Sequence, residues 1–436
     1  MRIRFPWIAA VLALLSIGFV IACSTKYSAS SNGLLVVPSR DSQAMETFTI
    51  DLSNGHASQI NNVNGPPITG LPSSVIIDPA GSYAYVAATV DCTAANLSAV
   101  QGAILAYKIN SDGKLSASNP PVYLSGNPAY PSSFPTCGLD DAMNPNPGNP
   151  VAAFTMDSGG KFLFVATAQA SAIFSSSTAT LPSQGIAVYS VGANASLTQV
   201  TGSPFAVPGT GGQAATPSAL AVTHTVFPAQ FAPCSAVPST ENLYVSDSIN
   251  NMLFNYMVTS AGSLSLVTTG TNPIPTGTLP SGVAVDPCNR FVYVANSNSN
   301  NVSAYTICNV VSPTCLVADY SLLKVAGSPF PVGDFPGPIT TDAFGKALYV
   351  VNTGASTISG FSIGPATGNL TPLSPATVAT NLGSNSIAVR SDDSWLFVAN
   401  STAANVSQFS ITPATGSLTM VSAIATFNLP SGVAVK

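Results

Sequence analysis

The residues of this chain whose types could do chemistry are few. They are two histidines (His56 and His224), seven cysteines, and an aspartate recurring at Asp78, Asp157, Asp286 and Asp342. Histidine is the usual general base near neutral pH. His56 lies in LSNGHASQI and His224 closes SALAVTH, each at the end of an apolar run, so both are expected to be turn or surface residues. Carboxylates bind divalent cations when they converge. Here each recurring Asp closes a short apolar run, where the side chain bonds backbone two residues on and tolerates tight geometry. Asn296, Asn352 and Asn400 end a second apolar run and are expected to satisfy backbone groups of the following loop. No CxxC pair or Cys/His spacing fits zinc, so no metal and no cofactor is expected.

The elements that carry these residues repeat. LVVPS (35–39), AYVAA (84–88), LFVAT (163–167), LYVSD (243–247), VYVAN (292–296), LYVVN (348–352) and LFVAN (396–400) share one pattern. Their central valines are 49, 79, 80, 49, 56 and 48 residues apart. A period near fifty with two insertions is a repeat array, and seven copies predict seven blades. Each copy has a first strand, a tight turn and the nearly all-apolar second strand. A polar loop, a third strand with Tyr or Phe, a Gly-containing turn and a weaker fourth strand follow. Second strands without alternation are expected when both sheet faces are covered. The predicted fold is all-β, a seven-bladed β-propeller of four-stranded antiparallel blades. LPSGVAV at 429–435 repeats 279–285 and lacks its continuation, which stands instead at 34–51 as LLVVPSRDSQAMETFTID. The C-terminal strand is therefore expected to pair with the N-terminal blade and close the ring.

Charged residues make up only 7% of the chain, so Ser, Thr and Asn must carry the surface polarity. A net charge of −5 with no basic cluster excludes a nucleic-acid partner. Residues 1–22 read as a signal peptide: Arg2 and Arg4 precede the apolar run Trp7 to Ala22. Val20-Ile21-Ala22-Cys23 resembles a bacterial lipobox, which implies lipid attachment at Cys23. Residues 23–32 then form a Ser-rich tether and 33–436 the propeller. The expected location is the cell envelope, anchored to a membrane, on the outer membrane or facing the periplasm, and the expected state is a monomer. Six cysteines remain, an even number in an oxidising compartment.

The repeats resemble the YVTN-type repeats of the seven-bladed propeller lactonase family. The shared residues are LPSGVAVDPCNRFVYVAN, PITTDAFGKALYVVN, and the Tyr/Phe strand followed by an ATG(N/S)L turn. That family includes bacterial 6-phosphogluconolactonases and fungal muconate cyclases, so the resemblance implies a propeller and makes lactone hydrolysis one option. The residues that repeat are those that build blades.

In a propeller the B–C and D–A loops share one face, usually the binding face, and the A–B and C–D turns share the other. Both histidines then fall opposite the mouth. Lys161, Arg290, Lys346, Arg390 and Lys436 lie in or beside A–B turns, away from where a phosphorylated lactone would need them. No acid opens an inner strand, Glu46 precedes a third strand and Glu241 a second, which speaks against a calcium-dependent site. The binding-face candidates are Arg40, Asp41, Asp91, Asp247, Asn298 and Asn300. The blade-2 B–C loop VDCTAANLSAVQG, the segment around PSSFPTCGLDDAMNPNPGN and the blade-3 loop TAQASAIFSSSTATLPSQG extend this face. Asp140 and Asp141 in the second of these are expected to be a solvated pair. Face sorting pairs Cys92 with Cys137, Cys234 with Cys288, and Cys308 with Cys315. The function expected is a small-molecule- or protein-binding scaffold on the B–C/D–A face; the alternative is a hydrolase of an unidentified lactone.

Overall fold

The structure is a computed structural model, and it describes residues 32–60, 71–94, 97–124, 151–167, 185–210, 212–224, 240–312 and 314–436. Strands A to D of each blade run outward from the central axis. Blade 2 is Leu71–Ile77, Tyr83–Ala94, Leu97–Ile109 and Leu115–Ala117. Blade 3 is Val151–Met156, Phe162–Thr167, Gly185–Val191 and Leu197–Gln199. Blade 4 is Pro217–Val222, Glu241–Asp247, Met252–Val258 and Leu264–Leu266. Blade 5 is Pro280–Val285, Phe291–Asn296, Asn301–Ile307 and Leu322–Lys324. Blade 6 is Pro336–Thr341, Ala347–Asn352, Thr357–Ile363 and Leu370–Ala379. Blade 7 is Ser384–Val389, Trp395–Asn400, Asn405–Ile411 and Leu418–Ala425. In blades 2 to 5 a further two-residue strand returns to strand C.

Blade 1 is stitched from both ends of the chain. Ala434–Val435 is its strand A, and Asn32–Ser39, Ala44–Asp51 and Ala57–Gln59 are strands B to D. Leu35 faces Val435 and Val36 faces Ala434, and the Leu34 and Lys436 backbones exchange hydrogen bonds at 3.2 and 2.9 Å. The predicted closure is therefore observed.

Strand B is apolar on both faces because each face packs on a different blade. Leu348 and Val350 join blade 5 in one core cluster, while Tyr349 and Val351 join blade 7 in another. Seven such clusters occupy the seven blade junctions. Tyr side chains stitch neighbours at one end: Tyr293 donates to Gly368 O at 3.2 Å and Tyr349 to Gly416 O at 2.7 Å. The turn aspartates are structural, but their reach is longer than two residues. Asp157 Oδ1 accepts the N–H groups of Lys161 and Phe162, and Asp342 Oδ1 those of Lys346 and Ala347, four and five residues on. A single carboxylate thus ties the A–B turn to the start of strand B.

Two expected placements differ. Residues 90–94 and 97–102 of blade 2 extend strands B and C, paired in register to Ala94 opposite Leu97. Glu46 lies inside strand C and Glu241 is the first residue of strand B, rather than ahead of them. The third disulfide pair is observed between Cys308 and Cys315. Cys288 is also disulfide-bonded, and Cys137 and Cys234, with Asp140 and Asp141, lie outside the described residues.

Candidate functional site at the channel mouth

The inner strands of blades 4 to 7 begin at the mouth with Pro217, Pro280, Pro336 and Ser384, and at three of the blade junctions a proline carbonyl is held by the preceding blade. Ser218 Oγ donates to Pro280 O at 2.7 Å, Ser281 Oγ to Pro336 O at 2.8 Å, and Asn385 Nδ2 to Pro430 O at 2.9 Å across the closing seam. Ser218 and Ser281 are thus blade-to-blade clasps, whereas Ser431 donates to Pro38 O within its own blade at 3.2 Å. All three serines spend their hydrogens on carbonyls.

The ends of strands B carry a second ring of polar side chains. Asn296 Nδ2 donates to Asn301 Oδ1 at 2.8 Å and Ser303 Oγ at 3.0 Å. Asn352 makes the same bonds to Thr357 and Ser359, and Asn400 to Asn405 and Ser407. The amide groups therefore bond mainly strand-C side chains, not the loop backbone expected from sequence. Gly277 and Gly333 lie directly over the first two amides; a Cβ on either would stand 2.7 Å from Asn296 or Asn352 Cγ. The Oδ1 atoms of Asn296 and Asn352 are buried without a partner, whereas Asn400 Oδ1 accepts from Ser384 Oγ at 2.9 Å. Pro280 and Pro336 stand where Ser384 does and have no donor to offer.

Of the sequence candidates, Asp247 is fully buried at the end of strand B in blade 4. Its Oδ1 accepts from the N–H groups of Thr216, Ile249 and Asn250, and Oδ2 from Asn250 Nδ2 at 2.6 Å. Asn300 donates to Asp334 Oδ1 at 3.1 Å and accepts Phe335 N–H at 2.9 Å, linking blade 5 to the loop entering blade 6. Asn251, which the sequence did not single out, does the same for Leu279 N–H at 2.8 Å. Asn298 is exposed and bonds Thr278 O through its backbone. Asp91 is placed in the blade-2 hairpin, opposite Val100.

Arg40 and Asp41 follow strand B of blade 1. Arg40 N–H donates to Leu429 O at 2.9 Å, the bond that Ser248, Ser297 and Ser401 make to Thr216, Leu279 and Gly383 in their blades. Blade 1 therefore puts an arginine where these blades put a serine. Among the described residues its guanidinium has no hydrogen-bond or ion-pair partner, and Asp41 is exposed.

Directly before Arg40 blade 1 departs again. Ser39 replaces the Asn of blades 5 to 7, and Glu46 replaces the Ser that this Asn bonds. Ser39 Oγ donates to Glu46 Oε2 at 3.1 Å, Phe427 N–H to the same atom at 2.8 Å, and Gln59 Nε2 to Oε1 at 3.2 Å. Glu46 is 3% exposed, and that burial raises its pKa against the lowering effect of the Phe427 and Ser39 bonds. Sequence reasoning missed it because its signal, a Glu at a Ser position, emerges only when strands C are aligned in register.

On the opposite face, His56 is exposed and His224 half-buried rather than a free surface residue. Asn289 brackets His224, accepting its N–H at 2.8 Å and donating to its carbonyl at 2.7 Å, and burial holds the imidazole pKa below its usual value. Among the described residues no group of three or more metal-ligating side chains converges.

The fold is that of a seven-bladed β-propeller. The family model described as Lactonase, 7-bladed beta-propeller, matches residues 215–312 and 322–436. Over these residues the chain matches the lactonase-like family of seven-bladed propellers. Solved structures agree in fold. A candidate 6-phosphogluconolactonase from Bacteroides fragilis superposes with a TM-score of 0.63 at 16% identity, covering 94% of this chain and 99% of that one. The periplasmic gluconolactonase of Pseudomonas aeruginosa gives 0.62 at 15%, with 93% and 99% covered. A Lactobacillus plantarum protein gives 0.61 at 14%, with 93% and 99% covered. No curated protein matches the sequence.

Proposed function

We propose that this chain is a membrane-tethered, extracytoplasmic propeller whose B–C/D–A face binds a small molecule or a protein. The observation that carries this reading is how the mouth spends its polar groups. Asp247 caps backbone, the strand-B amides bond strand C, and Ser218 and Ser281 clasp the next blade. Such a mouth is a rigid, nearly neutral platform from which Arg40, Asp41 and Asn298 project. Rigid, pre-bonded platforms favour binding because little ordering is left to do when a ligand arrives. Arg40 is suited to a carboxylate or a planar acceptor. The apolar segment Trp7 to Ala22 and Cys23 support tethering, and the periplasmic location of the Pseudomonas relative supports export.

The second reading is hydrolysis of a lactone, favoured by the family match and by Glu46, a buried carboxylate of raised pKa in the blade of Arg40. A general base is effective when its pKa approaches the working pH. A panel of five- and six-membered lactones, with and without phosphate, tests both readings by product formation. The binding reading expects no turnover above the heat-unfolded protein. Turnover lost in both Arg40→Ala and Glu46→Gln, with each variant folded by circular dichroism, would refute it.

A further inference from the structure

Strand C of blade 5 ends in a disulfide-pinned knuckle on the A–B/C–D face. Cys308 and Cys315 are buried, yet the residues between and after them project aliphatic side chains into solvent. Val311 is 72% and Leu316 81% exposed, with Val310 and Val317 beside them. Its base is firmly mounted. Tyr320 N–H donates to Cys308 O at 2.8 Å, Cys308 N–H to Ser321 O at 2.9 Å, and Asn255 Nδ2 of blade 4 to Tyr320 O at 2.8 Å. Water-exposed aliphatic groups on a rigid mount are a surface with something to cover it.

The chain itself indicates the cover. Residues 1–31 join the ring at Asn32, which pairs with Asp51 at the start of the blade-1 C–D turn. The apolar run Trp7–Ala22 and Cys23 are thus attached to the same face as the knuckle. Asn32 lies nine positions after Cys23, a reach of at most about 30 Å when fully extended. We infer that the A–B/C–D face lies against the lipid bilayer, with the Val311/Leu316 knuckle inserted into its surface and the mouth turned outward. This rests on the tethering part of the proposed function. Blades 1 and 5 lie on opposite sides of the ring, so two contacts hold the disc flat. At the A–B turns Arg290 pairs with Asp286, Arg390 with Asp392, and Lys436 donates to Gly81 O, so the contact proposed is apolar and not electrostatic.

The test uses the full chain reconstituted in phosphatidylcholine vesicles, with a diazirine-bearing aliphatic analogue in place of Leu316 or, as control, of Asn298. Photolysis is expected to give lipid adducts at 316 at least about ten-fold above those at 298. The yield should be unchanged between 0.1 and about 1 M salt, where screening would abolish an electrostatic contact. Vesicle-bound protein without adducts at 316, or with equal adducts at 298, overturns the orientation and leaves the tethering intact. Adducts at 316 to a second copy of the chain overturn it in favour of self-association. Protein that does not remain on the vesicles overturns the orientation and the tethering together.

Discussion

Replacing Gly277 with Ala should destabilise the ring chiefly through the side chain of Asn296. The added Cβ would stand 2.7, 2.8 and 2.9 Å from Asn296 Cγ, Nδ2 and Cβ, where ordinary contacts begin near 3.4 Å. Asn296 cannot step aside freely, being fully buried and held by Asn301 and Ser303. Overpacking of this kind costs about 1–3 kcal/mol. Breaking one of its hydrogen bonds adds roughly 0.5–1.5 kcal/mol. Gly→Ala returns about 0.4–1 kcal/mol through the unfolded chain. The net expectation is a loss of roughly 1–3 kcal/mol for Gly277→Ala. In an Asn296→Ser background the contacts to Cγ and Nδ2 are gone and only the 2.9 Å approach to Cβ remains, so the same substitution should cost clearly less. The protein already contains this exchange: blade 1 pairs Ser39 with Phe427 where blades 5 and 6 pair Asn with Gly. Guanidinium unfolding of the four proteins of the cycle gives the coupling, expected at about 1–3 kcal/mol in favour of the double variant. Effects additive within about 0.5 kcal/mol would refute the steric account.

Three further outcomes are expected. Deleting residues 429–436 removes the inner strand of blade 1, with Val433 and Ala434 buried in its two junctions, and should expose unpaired strand edges; a truncated monomer with unchanged melting temperature would contradict the closure. Burial raises the Glu241 pKa from 4.5 to about 8, with Asp157 adding to the rise and Lys161 opposing it. The folded state then holds more protons than the unfolded one between these values, so stability falls with rising pH through this window, by up to about 1.4 kcal/mol per unit. Glu241→Gln should flatten that part of a thermal-stability profile, and an unaltered slope would show the carboxyl to be ionised at neutral pH. Replacing Cys308 and Cys315 with Ser opens a seven-residue-separation loop and should cost about 2.5 kcal/mol by loop entropy, read by denaturant midpoint.

Period and composition made the blade count, strand order and ring closure legible, because strand B must be apolar on both faces and the truncated repeat at 429–435 has only one partner in the chain. The turn aspartates were equally legible, as local geometry demands an acceptor there. The mouth was less so. Asp247 and Asn300 read as a ligand-facing acid and amide, yet their acceptors meet N–H groups of Thr216 and Phe335, which lie 31 and 35 residues away. The Glu46 site joins Ser39, Gln59 and Phe427, and no local pattern announces a bond across 381 residues.

What the sequence determined by itself was the architecture: repeats encode strands through short-range patterning, and the split repeat encodes closure. Only the tertiary structure decided which polar groups are free. A side chain's availability depends on donors and acceptors brought alongside by neighbouring blades. Of the six binding-face residues read from the chain, Asp247 is consumed by its own scaffold and Asn300 binds the next blade. Among the described residues the Arg40 guanidinium has no partner, and it follows directly on Ser39, where blade 1 replaces the amide–hydroxyl pair of blades 5 to 7 with Ser39 and Glu46 at the seam between the chain ends.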